Sequence, residues 1–498
     1  MKIFKNIFSK ILITVFFILC SASVCAGTGI YVSPYGSDTG QGNIEAPFKT
    51  IAKALTLAEA GDIVYVRKGT YNEKITFPKP GTNEKPITLK AYEKESVIIQ
   101  QTGQAMYIDK PYIIVEDIIF DGNWGLFDVV KLKSEADFCI LRGLEIRNSM
   151  RDTLDLSSPE GVIIENCLIH DAVWFENGVR KDAHGIVTEG VKNLTIRNTE
   201  IFYVSGDTLQ FQYNGWNDIL VENCKLWNAP LPSARGGAPA GVYPGENAID
   251  TKYYTADGRG RLYVKNTTAY GWHSDYIDNA AAFNIKHNVE AEFDGITVYD
   301  SEIAFRLRGS ASSSTGGAWV TLKNAVIYNS DKAVRYEDDI ENLHIYNLTF
   351  GKDIGSMFQS AGGYGSGFEV KNCLFFSVSK PAEASYISNI TADSAAFINS
   401  AANDYHLSEN AAAIDTGIVL TEVSGDRDSV SRPQGIAYDI GAYEYVQLSL
   451  TLDHVISILK LLAGMESSIN NLELDMIKNN KIDIGDAVYI LQKIAKIK

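Results

Sequence analysis

A right-handed parallel β-helix is the fold class this sequence predicts, and three observations predict it. Short segments of alternating apolar and polar residues recur along most of the chain. An Asn or Gly marks nearly every one of them at the same place, and a second alternating segment follows each marker. Period-two alternation belongs to strands, and a strand set repeated at near-even spacing belongs to a solenoid.

The first strand family reads VIIENCLIH (162–170), NLTIRNTEIF (193–202), DILVENCKLW (218–227), RLYVKNTTAY (261–270), AEFDGITVYD (291–300), WVTLKNAVIY (319–328), NLHIYNLTF (342–350) and GFEVKNCLFF (367–376). Its markers are Gly143, Asn166, Asn198, Asn223, Asn266, Gly295, Asn324, Asn347 and Asn372, mostly 23 to 32 residues apart. The one large gap, Asn223 to Asn266, holds a loop from Asn228 to Gly245. A sandwich would not keep so even a period, and a propeller blade needs about 40 residues. The recurrent Asn is expected to bond turn backbone from coil to coil.

The second family reads DTLDLS (152–157), HGIVTE (184–189), DTLQFQ (207–212), NAIDTK (247–252), DYIDNA (275–280), AFRLRG (304–309) and AVRYED (333–338). Alternation turns Leu154, Leu156, Ile186, Thr188, Leu209, Phe211, Ile249, Thr251, Phe305 and Leu307 inward. An outward column of Asp155, Val187, Gln210, Asp250, Asp278, Arg306 and Arg335 follows, with neighbouring members about 4.8 Å apart.

The ends differ from this repeat. Lys2, Lys5 and Lys10 precede an apolar run from Ile11 to Cys20, and Val24 and Ala26 suit a cleavage site, so residues 1–26 read as a secretory signal. The run is too short for a membrane span, and a secreted, extracellular monomer is expected. A loop and an amphipathic helix near residues 49–60 should cap the core. Residues 376–445 are less regular and are expected to close the other end. The β-helix domain is thus placed at 27–445 and a helical module at 446–498. In that module LDHVISILKLLAG and IGDAVYILQKIAKIK show helical spacing. Asp475, Asn479, Asp483 and Asp486 fall at positions 1, 5, 9 and 12 of a calcium loop, with Ile477 where a ligand is usual.

A net charge of −16 excludes nucleic acid as the natural partner but not an acidic polysaccharide received on a local basic patch. Of six cysteines, Cys139, Cys167, Cys224 and Cys373 lie beyond the signal, and buried free thiols are expected. On the outward face Asp207, Glu246, Asp250, Asp275 and Asp278 offer hard oxygen ligands suited to calcium. Lys252, Arg306, Arg308 and Arg335 are placed to receive carboxylates. A ladder of surface ion pairs would look the same.

Three segments, GENAIDTK (245–252), HSDYIDN (273–279) and AFRLRGS (304–310), resemble in order the GENADG, NSDDGWD and GFKLGG motifs of the calcium-dependent pectate lyases of polysaccharide lyase family 9. The resemblance implies calcium ligands at Asp250, Asp275 and Asp278 and puts the family's catalytic Lys at Arg306. It departs where Tyr276 replaces an acid and Arg replaces the Lys. Lys252 is the alternative base, six residues after Glu246, a spacing similar to that in β-helix alginate lyases. The implied reaction is β-elimination: calcium neutralises the uronate, a base takes the C5 proton, and Arg308 or Arg335 holds developing charge. The terminal helix pair resembles a dockerin, which implies a cohesin-bearing scaffoldin as partner. A glycoside hydrolase or C5-epimerase on the same fold and a non-catalytic glycan-binding protein are the rival readings.

Overall fold

The computed structural model describes residues 29–213, 215–252, 258–310, 316–384, 387–447, 450–466, 474–475 and 481–495. They form a parallel β-solenoid of about 12 turns with few helices. The signal at residues 1–26 lies outside the described residues, as does Asn479 of the calcium loop. None of the described helices is long and apolar enough to cross a membrane. The chain divides into two compact units, Met1–Ala291 with Arg306–Ala318, and Glu292–Phe305 with Trp319–Lys498.

In the first unit each coil contributes strands to successive faces. One face stacks Ile63–Val66, Ile87–Ala91, Ile113–Glu116, Ile140–Arg142, Ile163–Glu165, Thr195–Arg197, Ile219–Glu222 and Gly260–Lys265, every pair parallel. Its inward residues form an unbroken apolar column: Val64, Leu89, Val115, Leu141, Ile164, Ile196, Val221 and Val264, all buried. Helix Ile51–Leu57 buries Ile51, Ala54 and Leu55 at the start of the core. Thr50 caps it and the Glu73 carboxylate accepts from the free N–H groups of Ile51 and Ala52.

The marker residues share a backbone state. Asn166, Asn198, Asn223 and Asn266 have φ between 47° and 56°, and Gly143 stands at 63°. The turn requires the left-handed region, which Gly and Asn enter at least cost. This constraint, more than side-chain bonding, explains the repeat. Cys139, Cys167 and Cys224 just beyond the turns are buried and free, and burial pushes their thiols up to about 12.

In the second unit Trp319–Lys323, Ile340–Tyr346 and Tyr364–Lys371 pair in parallel, and Val326–Glu337 pairs with Ile354–Ala361. Asn324, Asn347 and Asn372 keep the left-handed turn. Ile390–Ala392 pairs in parallel with Leu374–Phe376, and a long terminal segment of the chain follows it. It runs back along the turn edge: Arg427 reaches Thr297, Arg432 reaches Asn324, and the Asp439 and Ile418 carbonyls accept from Asn347 and Asn372. The side-chain amides of the turn residues Asn347 and Asn372 thus find acceptors in this strap. Helices Leu452–Leu462 and Ile484–Ile494 pack through Val455, Ile458, Ala487 and Ile490.

Candidate functional site

The second strand family of the first unit carries the polar row. Val130–Leu132, Leu154–Ser157, Ile186–Glu189, Leu209–Gln212, Asn247–Thr251 and Ala281–Ile285 stack in parallel. Leu154, Ile186, Leu209, Ile249 and Phe283 point inward and are buried. The outward positions between them hold Lys131, Asp155, Val187, Gln210, Asp250 and Asn284 in register.

Here the sequence reading needs correction. The strand expected at 275–280 is found at Ala281–Ile285, so Asn284, not Asp278, lies beside Asp250. The reason is core chemistry: Ala281, Phe283 and Ile285 supply three inward apolar residues, whereas 275–280 has only Ile277 flanked by polar groups, and Asn279 takes a left-handed φ of 62°. Asp275 and Asp278 are exposed on the segment leading to the strand, where Asp275 Oδ2 accepts from Tyr243 N at 2.8 Å.

Asp250 itself is fully buried. Lys286, two residues beyond Asn284, places its ammonium 2.9 Å from Asp250 Oδ1 and 3.1 Å from Oδ2, and Lys252 Nζ pairs with Oδ2 at 2.5 Å. Lys286 N also donates to Thr251 Oγ1, tying the two coils together. Burial works against the charge on Lys252, but Asp250, Asp207 and Glu246 outweigh it and hold the ammonium above its ordinary range. The acid-rich segment 275–280 predicts a register six residues earlier, which would put Ala280 where Lys286 stands.

At the starts of these strands runs a buried polar row. His184 Nδ1 lies 2.7 Å from Asp152, and its Nε2 lies 3.8 Å from Asp207. Asn247 Nδ2 donates to Asp207 Oδ1 at 2.8 Å. Burial, then Asp250 and Glu246, push the Asp207 carboxyl up to about 7, against the pull of His184 and Lys252. Desolvation opposes protonation of His184, yet Asp152 and Asp207 raise it to about 9.

Beside the row stands a wall. The hairpin Trp174–Glu176 with Val179–Lys181 carries Arg180, which donates to Pro244 O and pairs with Glu246 at 3.2 Å and Asp182 at 3.0 Å. Phe175 meets Tyr276 edge-on at 5.0 Å. Arg306 and Arg308 are half-buried on Thr297–Arg308, with Phe305 and Leu307 turned inward as expected. Arg335 belongs to the second unit, where Glu337 holds it at 2.6 Å.

Calcium fits this arrangement poorly. Among the described residues no three His, Cys, Asp or Glu side chains come together to hold a metal. Glu246 is engaged by Arg180, Asp207 is enclosed, and Asp275 faces a backbone N–H. Buried oxygens without a hydrogen bond remain at Asp207, Asn247, Asp250 and Asn284, but Asp250 Oδ1 already has the Lys286 ammonium 2.9 Å away. In the terminal helices Asp483 accepts from Gly485 N, and buried Asp486 accepts from Asp483 N at 2.9 Å, so this pair forms a helix-capping box.

Residues 30–241 match the family model of the Pel9A-like right-handed β-helix region. The match includes His184 and Asp207 and ends before Asp250. The pectate lyase PEL9 of Emericella nidulans is 50% identical over 72 residues, 14% of this chain and 18% of that protein. The uncharacterised protein YwoF of Bacillus subtilis is 43% identical over 94 residues, 18% of this chain and 20% of that one. The chain thus spans about a fifth of the length of these curated relatives. Among solved structures, pectate lyase Pel9A is 16% identical with a TM-score of 0.48, over 85% of this chain and 98% of that one. A rhamnogalacturonan lyase is 16% identical with a TM-score of 0.48, over 70% and 87% respectively.

Proposed function

We propose that this chain is a polysaccharide lyase that cleaves a uronate-containing glycan such as pectate by β-elimination, in the extracellular setting that residues 1–26 imply. The observation that carries the reading is the outward row in which Lys252 and Lys286 flank Asp250 beside a wall of loops. The match over residues 30–241 and the 72-residue match to the pectate lyase PEL9 support it.

β-Elimination needs the uronate carboxylate neutralised, the C5 proton removed and the C4 oxygen released as a double bond forms between C4 and C5. Lys252, held charged by Asp250, suits the first task and not the second, because a base must first give up its proton. The likeness of AFRLRGS (304–310) to the segment that carries the catalytic Lys of family 9 assigns the proton to Arg306, with Arg308 on the same strand holding charge on the departing oxygen. A hydrolase would need an acid opposite a second carboxylate. Asp207 is enclosed and Asp250 is neutralised by two lysines, so neither presents such a pair.

The test is turnover of polygalacturonate followed by the ultraviolet absorbance of unsaturated uronide ends. Wild-type protein should generate that absorbance, Arg306→Ala should abolish it, and Arg306→Lys should retain it, since Lys releases its proton more readily. Reducing ends without unsaturation would mark a hydrolase. Turnover indifferent to Arg306→Ala would remove Arg306 as the base.

We also propose that the terminal helices dock to a cohesin. The two helices repeat one exposed apolar spacing, Leu452, Ile456, Leu459 and Leu462 on the first and Ile484, Val488, Leu491 and Ile494 on the second.

A further inference from the structure

We propose that Lys252 and Lys286, held by Asp250, form a carboxylate-receiving site that neutralises the substrate's uronate without a divalent cation. The proposal rests on the lyase reading for its substrate class and departs from the calcium dependence that the sequence resemblance implies.

Three features carry it. The two lysines lie on neighbouring coils, two residues beyond Asp250 and Asn284, which face each other in register. Both side chains are partly open to solvent, 27% for Lys252 and 20% for Lys286, while Asp250 beneath them is wholly buried. The carboxylate thus anchors two ammonium groups from below and leaves their outer sides to a ligand. Two ammonium charges against one carboxylate leave one positive charge, the complement of a single uronate.

A carboxylate that already holds two ammonium groups is also a poor calcium ligand, since the metal would have to expel like charge from a buried position. The other acids expected to share a metal are turned elsewhere: Glu246 to Arg180, Asp275 to Tyr243 N. Asp250 is therefore a positioning residue, and the substrate contacts are the two ammonium groups. Lysine presents a compact charge with rotatable donors, which suits carboxylates following one another along a glycan.

The experiment is calorimetry of the full chain with tetragalacturonate in excess chelator, with cellotetraose as the neutral control. Tetragalacturonate should bind without metal and cellotetraose should not. Lys286→Ala and Lys252→Ala should each weaken binding about tenfold or more, while Lys286→Arg stays within a few-fold of wild type, which a merely structural role would not give. Binding that appears only with calcium, or that ignores Lys286→Ala, overturns the proposal, as does no binding under either condition. Turnover of polygalacturonate run in parallel separates the two readings. Metal-free, Lys286-dependent binding with no unsaturated product leaves this site standing and removes the lyase. Product that requires added calcium keeps the lyase and removes this site.

Discussion

Buried charge on the first unit's polar row makes its residues unequal partners. Asp250 has two ammonium groups within about 3 Å, whereas Asp207, one coil earlier, has among the described residues only Asn247 as a hydrogen-bond donor and a histidine 3.8 Å away. Burial therefore leaves Asp207 protonated up to about 7, against an ordinary value of 3.8. A carboxyl whose folded value is raised binds its proton more tightly in the folded state. Its contribution favours folding fully below 3.8 and is lost as the pH rises through 7. Asp207→Asn keeps the shape of the neutral acid and removes that titration. Denaturant melts at a series of pH values should show the variant gaining a few kcal/mol on wild type as the pH rises across that window. A constant difference between the two proteins would show that Asp207 ionises normally. His184 acts in the same direction over a higher window, from 6.5 to about 9, because its proton too is held by the fold.

At the scale of strands and helices, sequence pattern was a good guide to the coils and a poor one to register across an insertion. Strand families with apolar residues at alternate positions are legible because the core favours apolar side chains at the inward positions: Leu154, Ile186, Leu209 and Ile249 turn inward as the alternation predicts. The acid-rich segment 275–280 misled because its charges matched a motif while its apolar content did not match a core strand. A shift of six residues preserved the alternation but replaced Asp278 by Asn284 beside Asp250, and brought Lys286 into the site. The wall hairpin was not legible, since Arg180 meets Glu246 from 66 residues away. The helix pair is the reverse case. Its spacing was read correctly, and the structure adds that the apolar stripe repeats and stays exposed. Calorimetry of the full chain with a cohesin domain should show binding, lost when Ile456→Lys and Val488→Lys are combined and kept at reduced strength with either alone. If the double variant binds as wild type does, the stripe is not the docking face.

For the whole molecule, a solenoid distributes its stability over neighbouring coils, so damage is expected to remain local. The second unit tests this, because its strap concentrates buried polar contacts. Arg432 is fully buried with Glu444, and it also reaches Asn324 Oδ1 and the carbonyls of Asp439 and Gly441. Desolvation lowers the Arg432 guanidinium from its ordinary value, although Glu444 and Asp426 oppose that. Removing one partner of such a pair strands the other charge, at a cost of about 3–5 kcal/mol, whereas apolar replacement of both is far milder. Arg432→Met should therefore release the strap, and the carbonyl and amide partners on Asn324, Asn347 and Asn372 should follow, since their bonds end in the same segment. Hydrogen exchange provides the measurement. Protection should fall at Trp319–Lys323 and Ile340–Tyr346, while Ile163–Glu165 and Thr195–Arg197 in the first unit exchange as in wild type. The combined Arg432→Met and Glu444→Leu variant should recover much of the loss. Equal loss of protection in both units would mean that the chain melts as one body, and the nearest-neighbour account of its stability would fail.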